Sequence, residues 1–489
     1  MPNFWHCIFR GQSVRRSIQV LLAVAAALLS AAAAPAFDPE PWYADLEQTR
    51  HVLLTKYANI EWAVEQREVN LPALFADIHA RLEHAQSDSD ARAAFDRLAR
   101  KIGDEHLQFV WPKLPPAGGA GEADRCVSLG YDARTRGALL AAAAPGYQAL
   151  TTPQSDEFPA GTIVVDGAKV GIIKIGVFMP EGYPELCKAA LAALAVPADK
   201  PCDDSCSDRV ESWVSARLTN DLAAQLRAID STGASVLVVD IAGNGGGTEW
   251  SEAVARMLTP MRLHSEELRF VRGDHWAKAF ADDEEKLREF EQGATGKDRE
   301  LLHRLAGEVE ARRKDALTPC DATPLWTGGH PSCDWLGKGF YGSELLASAD
   351  PATLRGKPWA TLLFSPMEFP YEEGVWRKPL IVLIDANVGS AASQFAAVLQ
   401  DNKAALIIGA PSGGGCGHTN GGTPTTLTYS KAVLEVPDCA RFRADGTNEA
   451  MGIEPDVLVG FTPADGPHLM AKRLIEKLPD ALDRASSKP

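Results

Sequence analysis

A hydroxyl, an imidazole, a carboxylate and two glycine-rich turns are the parts of this chain whose types and spacing can do chemistry. The hydroxyl is Ser390, in Lys378-Pro-Leu-Ile-Val-Leu-Ile-Asp385-Ala-Asn-Val-Gly389-Ser390-Ala-Ala-Ser393. Leu380 to Ile384 is a continuous apolar run rich in β-branched residues, which predicts a strand covered on both faces in a parallel sheet. Gly389 permits a sharp turn, and Ala391 to Gln400 is rich in helix formers, so Ser390 falls in the first turn of a helix. Two roles are open to it there. It can be a nucleophile whose oxyanion product meets free backbone N–H groups and the positive end of the helix dipole, or it can simply cap the helix. Ser393, one turn on, is the rival nucleophile, set inside the helix and away from those free groups.

The first glycine-rich turn is Asp240-Ile-Ala-Gly243-Asn244-Gly245-Gly246-Gly247-Thr248, after the apolar run Ser235 to Val239. It lacks the Lys-Ser/Thr of a phosphate loop and the spacing of a dinucleotide fingerprint, so nucleotide binding is disfavoured. Its glycines do let backbone N–H groups approach a ligand closely, as an oxyanion hole requires.

The elements that must position these groups read as an α/β core behind a helical region. Residues 38–103 have helical periodicity, with Leu46, Val52, Leu53 and Tyr57 on one face. Residues 104–165 hold short apolar runs broken by Gly and Pro and predict a small β-rich segment. The core spans 166–463, where strand, helix and strand follow one another at Val170–Phe178, Trp213–Ile229 and Ser235–Ile241. Residues 275–317 interrupt it with two charged helical stretches, carrying Glu284/Arg288, Glu308/Arg312 and Glu310/Lys314 at i,i+4 spacing. They read as a solvated helical hairpin or as a lid over a cleft. Residues 464–489 form a terminal helix and tail.

Arg10, Arg15 and Arg16, the apolar run Ile18–Ala34 and Ala34-Pro35-Ala36 predict a signal peptide over residues 1–36 and a periplasmic or secreted protein with no membrane span after cleavage. Losing that segment, with three arginines and no acid, takes the formal net charge from −16 to −19, which excludes a nucleic-acid partner. It also removes Cys7 and leaves eight cysteines, an even number that favours disulfides. Cys202 and Cys206 have no second Cys or His pair at ligand spacing, so they read as a staple, and neither a metal nor a cofactor is expected. Cys320 and Cys333 flank one loop, and Cys416 and Cys439 are expected to pair, tethering Gly413-Gly-Gly415 beside the strand Val433–Val436.

Asp240 to Gly247, Gly389-Ser390-Ala391 leading to Gln400-Asp401-Asn402, Gly409-Ala-Pro411-Ser412 and Gly452-Ile-Glu-Pro455-Asp456 occur in one order over roughly residues 160–460. In these motifs the chain resembles the tail-specific, or carboxy-terminal processing, serine peptidases, and its Asp104-Glu105-His106 is similar to the tricorn core protease type. The resemblance implies a ClpP/crotonase-like core, the segment 104–165 standing where relatives have a PDZ domain, and a serine endopeptidase acting on peptide or protein substrates through an acyl-enzyme. It departs from the processing branch at Gly415, where those enzymes carry their lysine base, and at Ala242, where an arginine is usual. Without that lysine a histidine must serve, and the tricorn type implies Ser390 as nucleophile, His106 as base and Glu449 as the acid that orients it. His418 is the alternative base. The oxyanion hole is expected at the N–H groups of Ala391 and of Gly245 or Gly246. A competing reading is a catalytically silent relative whose cleft binds a peptide or an apolar ligand.

Overall fold

The computed structural model describes residues 37–112, 125–132, 136–197, 202–417, 424–462 and 464–486. The expected signal peptide and His418 lie outside the described residues. In chain order the strands are β1 (Gln108–Val110), β2 (Gln148–Leu150), β3 (Ala160–Val165), β4 (Ala168–Lys174), β5 (Val236–Asp240), β6 (Glu267–Val271), β7 (Leu336–Tyr341), β8 (Leu380–Ile384), β9 (Leu406–Gly409), β10 (Thr425–Thr426), β11 (Val433–Glu435), β12 (Cys439–Phe442) and β13 (Val457–Leu458). The helices that matter here are α1 (Glu40–Lys56), α2 (Leu71–Glu83), α3 (Asp88–Ile102), α4 (Asp204–Ser231), α5 (Asp274–Gly293), α6 (Gly296–Ala316), α7 (Ser390–Asp401) and α8 (Pro467–Ser486).

The main sheet has the order β13-β9-β8-β5-β4-β3-β2, parallel from β13 to β4 and antiparallel at β3 and β2. All five residues of β8 are buried, which explains the unbroken apolar run. The pleat divides them: Leu380, Val382 and Ile384 join α4 and α7 in one core, while Ile381 and Leu383 pack with Leu474 and Leu478 of α8 in another. Each such side chain contributes about 1.5–3 kcal/mol on burial. The loops after β5 and β8 therefore meet at one end of the sheet, at the carboxyl ends of its two central strands.

Residues 104–165 are not a separate β-rich unit. Among the described residues β1 pairs with β11, whereas β2 and β3 extend the main sheet. The local Gly and Pro punctuation bounds short strands, but pairing is a long-range matter that local composition does not contain. α1, α2 and α3 share a core with β1 and β11, so the helical region is welded to the sheet β1-β11-β10.

The helical hairpin is present as α5 and α6, and all three i,i+4 pairs form, with Glu284–Arg288 at 3.5 Å, Glu308–Arg312 at 3.9 Å and Glu310–Lys314 at 2.6 Å. It covers the third sheet, β12-β6-β7, through Phe280, Leu302 and Phe340. Between them lies a cavity of about 620 Å³ lined by Phe270, Trp276, Asp282, Asp283 and Glu344 among others. Burial, then the charges of Glu249 and Asp283, pushes the Glu344 carboxyl up from 4.5 to about 8. Its folded value lies above its unfolded one, so charging it costs the folded state: stability is greatest below the unfolded value and falls as pH rises toward 8. Melting curves at pH 5 and 8.5 should show that fall, and Glu344→Gln should flatten it.

Four disulfides form, Cys126–Cys187, Cys202–Cys206, Cys320–Cys333 and the expected Cys416–Cys439, and they fit an extracellular or periplasmic location. No helix among the described residues is long and apolar enough to cross a membrane.

Candidate active site

Ser390 opens α7 directly after Gly389, and its backbone takes φ 51°, a left-handed conformation that costs a non-glycine residue about 1–2 kcal/mol. The N-cap position of α7 is Gly389, which has no side chain to cap with, so Ser390 is not the capping residue. The surroundings hold it there. Arg441, buried on β12, donates through Nη2 to the Ser390 carbonyl at 2.9 Å and to the Gly415 carbonyl at 2.7 Å. Its Nη1 bonds Gln394 Oε1 at 2.7 Å, one turn further along α7. Ser393 is fully buried and donates to the Gly413 carbonyl at 2.8 Å, so it ties the second glycine turn to α7 and has no exposed hydroxyl.

Among the described residues the Ala391 N–H has no partner, and neither has that of Gly245, which is exposed. Gly246 differs from expectation. Its N–H is taken by Asn244 Oδ1 at 2.9 Å, because the Asn244 side chain folds back to shape the loop, leaving Gly245 as the free donor. Gly246 is instead needed for clearance: with φ 108°, a Cβ there would stand 2.7 Å from Ser390 Cβ and 2.8 Å from the Ala391 nitrogen. Lys174 anchors the first glycine loop at Ala242, where the resemblance leads one to expect an arginine. Buried on β4, it donates to Asp240 Oδ1 at 3.1 Å and to the Ala242 carbonyl. Sequence reasoning missed this because the cation comes from another strand.

His106 arrives from the helical region, placed by the pairing of β1 with β11 two residues later. It stands against the second glycine turn, where a Cβ at Gly415 would be 3.7 Å from Nδ1 and one at Gly417 would be 2.7 Å from Nε2. Ser390 and His106 thus border one turn, Gly413–Gly417, which Cys416–Cys439 fastens to β12. The carboxylate beside the imidazole is Asp104, with Oδ1 3.7 Å from Nδ1 and accepting the His106 backbone N–H at 3.0 Å. Tyr57 and Asn59 donate to its Oδ2, each at 3.0 Å. Burial works against the Asp104 charge, but His106 and Asn59 outweigh it and hold the carboxyl below its ordinary value.

Glu449 sits elsewhere than expected. It is fully buried, but its carboxylate is clasped by Arg441 through Nε and, at 3.0 Å, Nη2, and it makes no ion pair with His106. The buried guanidinium needs a counter-charge and Glu449 supplies it. Beside the site is a cleft of about 320 Å³ lined by Trp62, Arg67, Asp104, Glu105, Ser412 and Gly413 among others.

A glycine loop and a strained serine stand at the carboxyl ends of β5 and β8, and His106 is carried in by the helical region. The chain matches the model of peptidase family S41 over residues 209–459, just over half of its length, and it belongs to that family. Comparison with curated proteins gives no match. Among solved structures it is similar to mature CPAF, with a TM-score of 0.54 at 14% identity, over 92% of this chain and 98% of that one. The photosystem II D1 C-terminal processing protease gives 0.32 at 12% identity, over 88% of this chain and 96% of that one. The tricorn protease gives 0.25 at 12% identity, over 86% of this chain and 36% of that one.

Proposed function

We propose that the protein is an exported serine endopeptidase with a ClpP/crotonase-like core, in which Ser390 is the nucleophile, His106 the general base and Asp104 the carboxylate that orients it. The observation that carries this reading is the left-handed Ser390 at the head of α7, beside two unpartnered backbone N–H groups. Ser390 Oγ attacks the scissile carbonyl carbon while its proton passes to His106 Nε2, the nitrogen away from Asp104. The oxyanion that forms accepts from the N–H groups of Ala391 and Gly245. As the C–N bond breaks, His106 returns the proton to the leaving amine, and water then hydrolyses the acyl-enzyme by the same route in reverse. Glu449 acts at one remove, by holding Arg441 and hence the Ser390 and Gly415 carbonyls.

A serine-directed phosphonate should label the purified protein once, at Ser390, as mapped by mass spectrometry; absence of labelling, or labelling of Ser393, would sink the assignment. Asp104→Asn should lower kcat/KM by about a hundred- to ten-thousand-fold, as expected of a residue that fixes an imidazole tautomer, and should also lower the thermal midpoint, because its amide nitrogen must face a donor that the carboxylate now accepts. An unchanged kcat/KM would overturn Asp104 as the orienting residue.

A further inference from the structure

Between α1 and α2 the chain makes a π-helical turn, Trp62–Gln66, whose Trp62 and Gln66 form part of the wall of the cleft beside Asp104 and Glu105. Two other residues of the same segment, Glu61 and Glu65, meet His330 instead. The imidazole Nδ1 lies 3.4 Å from Glu65 Oε1 and 4.0 Å from Glu61 Oε1, and the three donor atoms are all within 4.8 Å of one another. Among the described residues neither carboxylate is paired with a lysine or arginine, so two negative charges share one imidazole.

The juxtaposition is built from both sides. Glu61, just before the π-helical turn, and Glu65 within it stand four residues apart, a spacing that puts helical side chains on one face. His330 belongs to the loop closed by Cys320–Cys333. That loop is seated on the helices by Trp326, whose ring meets Phe75 edge-on at 4.8 Å, and by Gly328, which lies against Val64.

We propose that Glu61, Glu65 and His330 form a binding site for a divalent transition metal, zinc foremost. One imidazole nitrogen with two carboxylate oxygens is a borderline donor set, and three protein ligands leave a tetrahedral ion one position for water. Zinc bonds of about 2.0–2.2 Å place neighbouring ligand atoms roughly 3.4 Å apart. The His330–Glu65 pair already has that separation, and Glu61 reaches it by a small change of rotamer. Calcium and magnesium, which take oxygen ligands, are poorly served by the imidazole. Such an ion would bolt the disulfide-closed loop to the turn that walls the cleft. Sequence spacing conceals the site, since more than 260 residues separate the glutamates from the histidine.

Chelator-stripped protein titrated with zinc against a chromophoric chelator should bind one equivalent in the micromolar range or tighter and show a raised thermal midpoint. His330→Ala and Glu65→Gln, both at the surface, should weaken binding at least tenfold and abolish the rise, while His106→Ala should bind zinc as the parent does. Calcium and magnesium should leave the midpoint unchanged. The site is refuted by absence of stoichiometric zinc, by parental affinity in His330→Ala, or by loss of zinc in His106→Ala.

Discussion

Ser390→Ala should abolish peptide hydrolysis, by at least about a thousandfold in kcat, and leave the fold intact. Gly389, not Ser390, is the N-cap residue of α7, so removing the hydroxyl costs the helix little. The backbone makes a second, independent variant informative. At φ 51° alanine is as strained as serine, but glycine is not, so Ser390→Gly should be equally inactive and yet more stable than Ser390→Ala by about 1 kcal/mol in urea unfolding. Equal stability of the two variants would show that the turn relaxes when the hydroxyl is gone, and that the strain is not imposed by the framework. Ser393→Ala should keep most of its activity, because it removes a tether to Gly413 and not the nucleophile.

The largest stability effect is expected at Arg441. Arg441→Met leaves Glu449 buried without its partner and removes the donor to the Ser390 and Gly415 carbonyls, so it should cost about 3–5 kcal/mol and eliminate activity. Glu266 sharpens the case. Burial first, then the charge of Glu449, drives its carboxyl well above the usual range, and Arg441 is among the cations that oppose this. Combining Arg441→Met with Glu449→Leu should restore much of the stability, since an apolar pair of similar volume replaces the ion pair, but not the activity. Urea unfolding and peptide turnover of the single and double variants separate the two effects. A double variant as active as the parent would show that the Arg441 clamp does not position Ser390.

What was legible in the sequence follows from how local each cause is. β8 and α7 could be read almost to the residue, because a five-residue apolar run, a glycine and an alanine-rich stretch each act within a few positions. The hairpin was legible for the same reason, its ion pairs being four residues apart. Asp104 was in view beside His106, yet its role belongs to the packing of Tyr57 and Asn59 around it, which no spacing reveals. Arg441 and Lys174 carried no signal at all. Each is a single cation on a strand, and its importance comes from burial against carbonyls and carboxylates brought in from elsewhere.

The pairing of β1 with β11 joins Phe109 to Leu434 across 325 residues. The histidine and the serine are therefore emitted by the ribosome as parts of unconnected pieces, and the amino-terminal helices have no strand partner until nearly the whole chain exists. Closing so large a loop is slow compared with forming the helices or the hairpin. The order of synthesis thus acts as a timer: a chain grown just past Ser390 already holds the serine and the histidine, but the pairing that places His106 forms only once residues 433–435 have arrived.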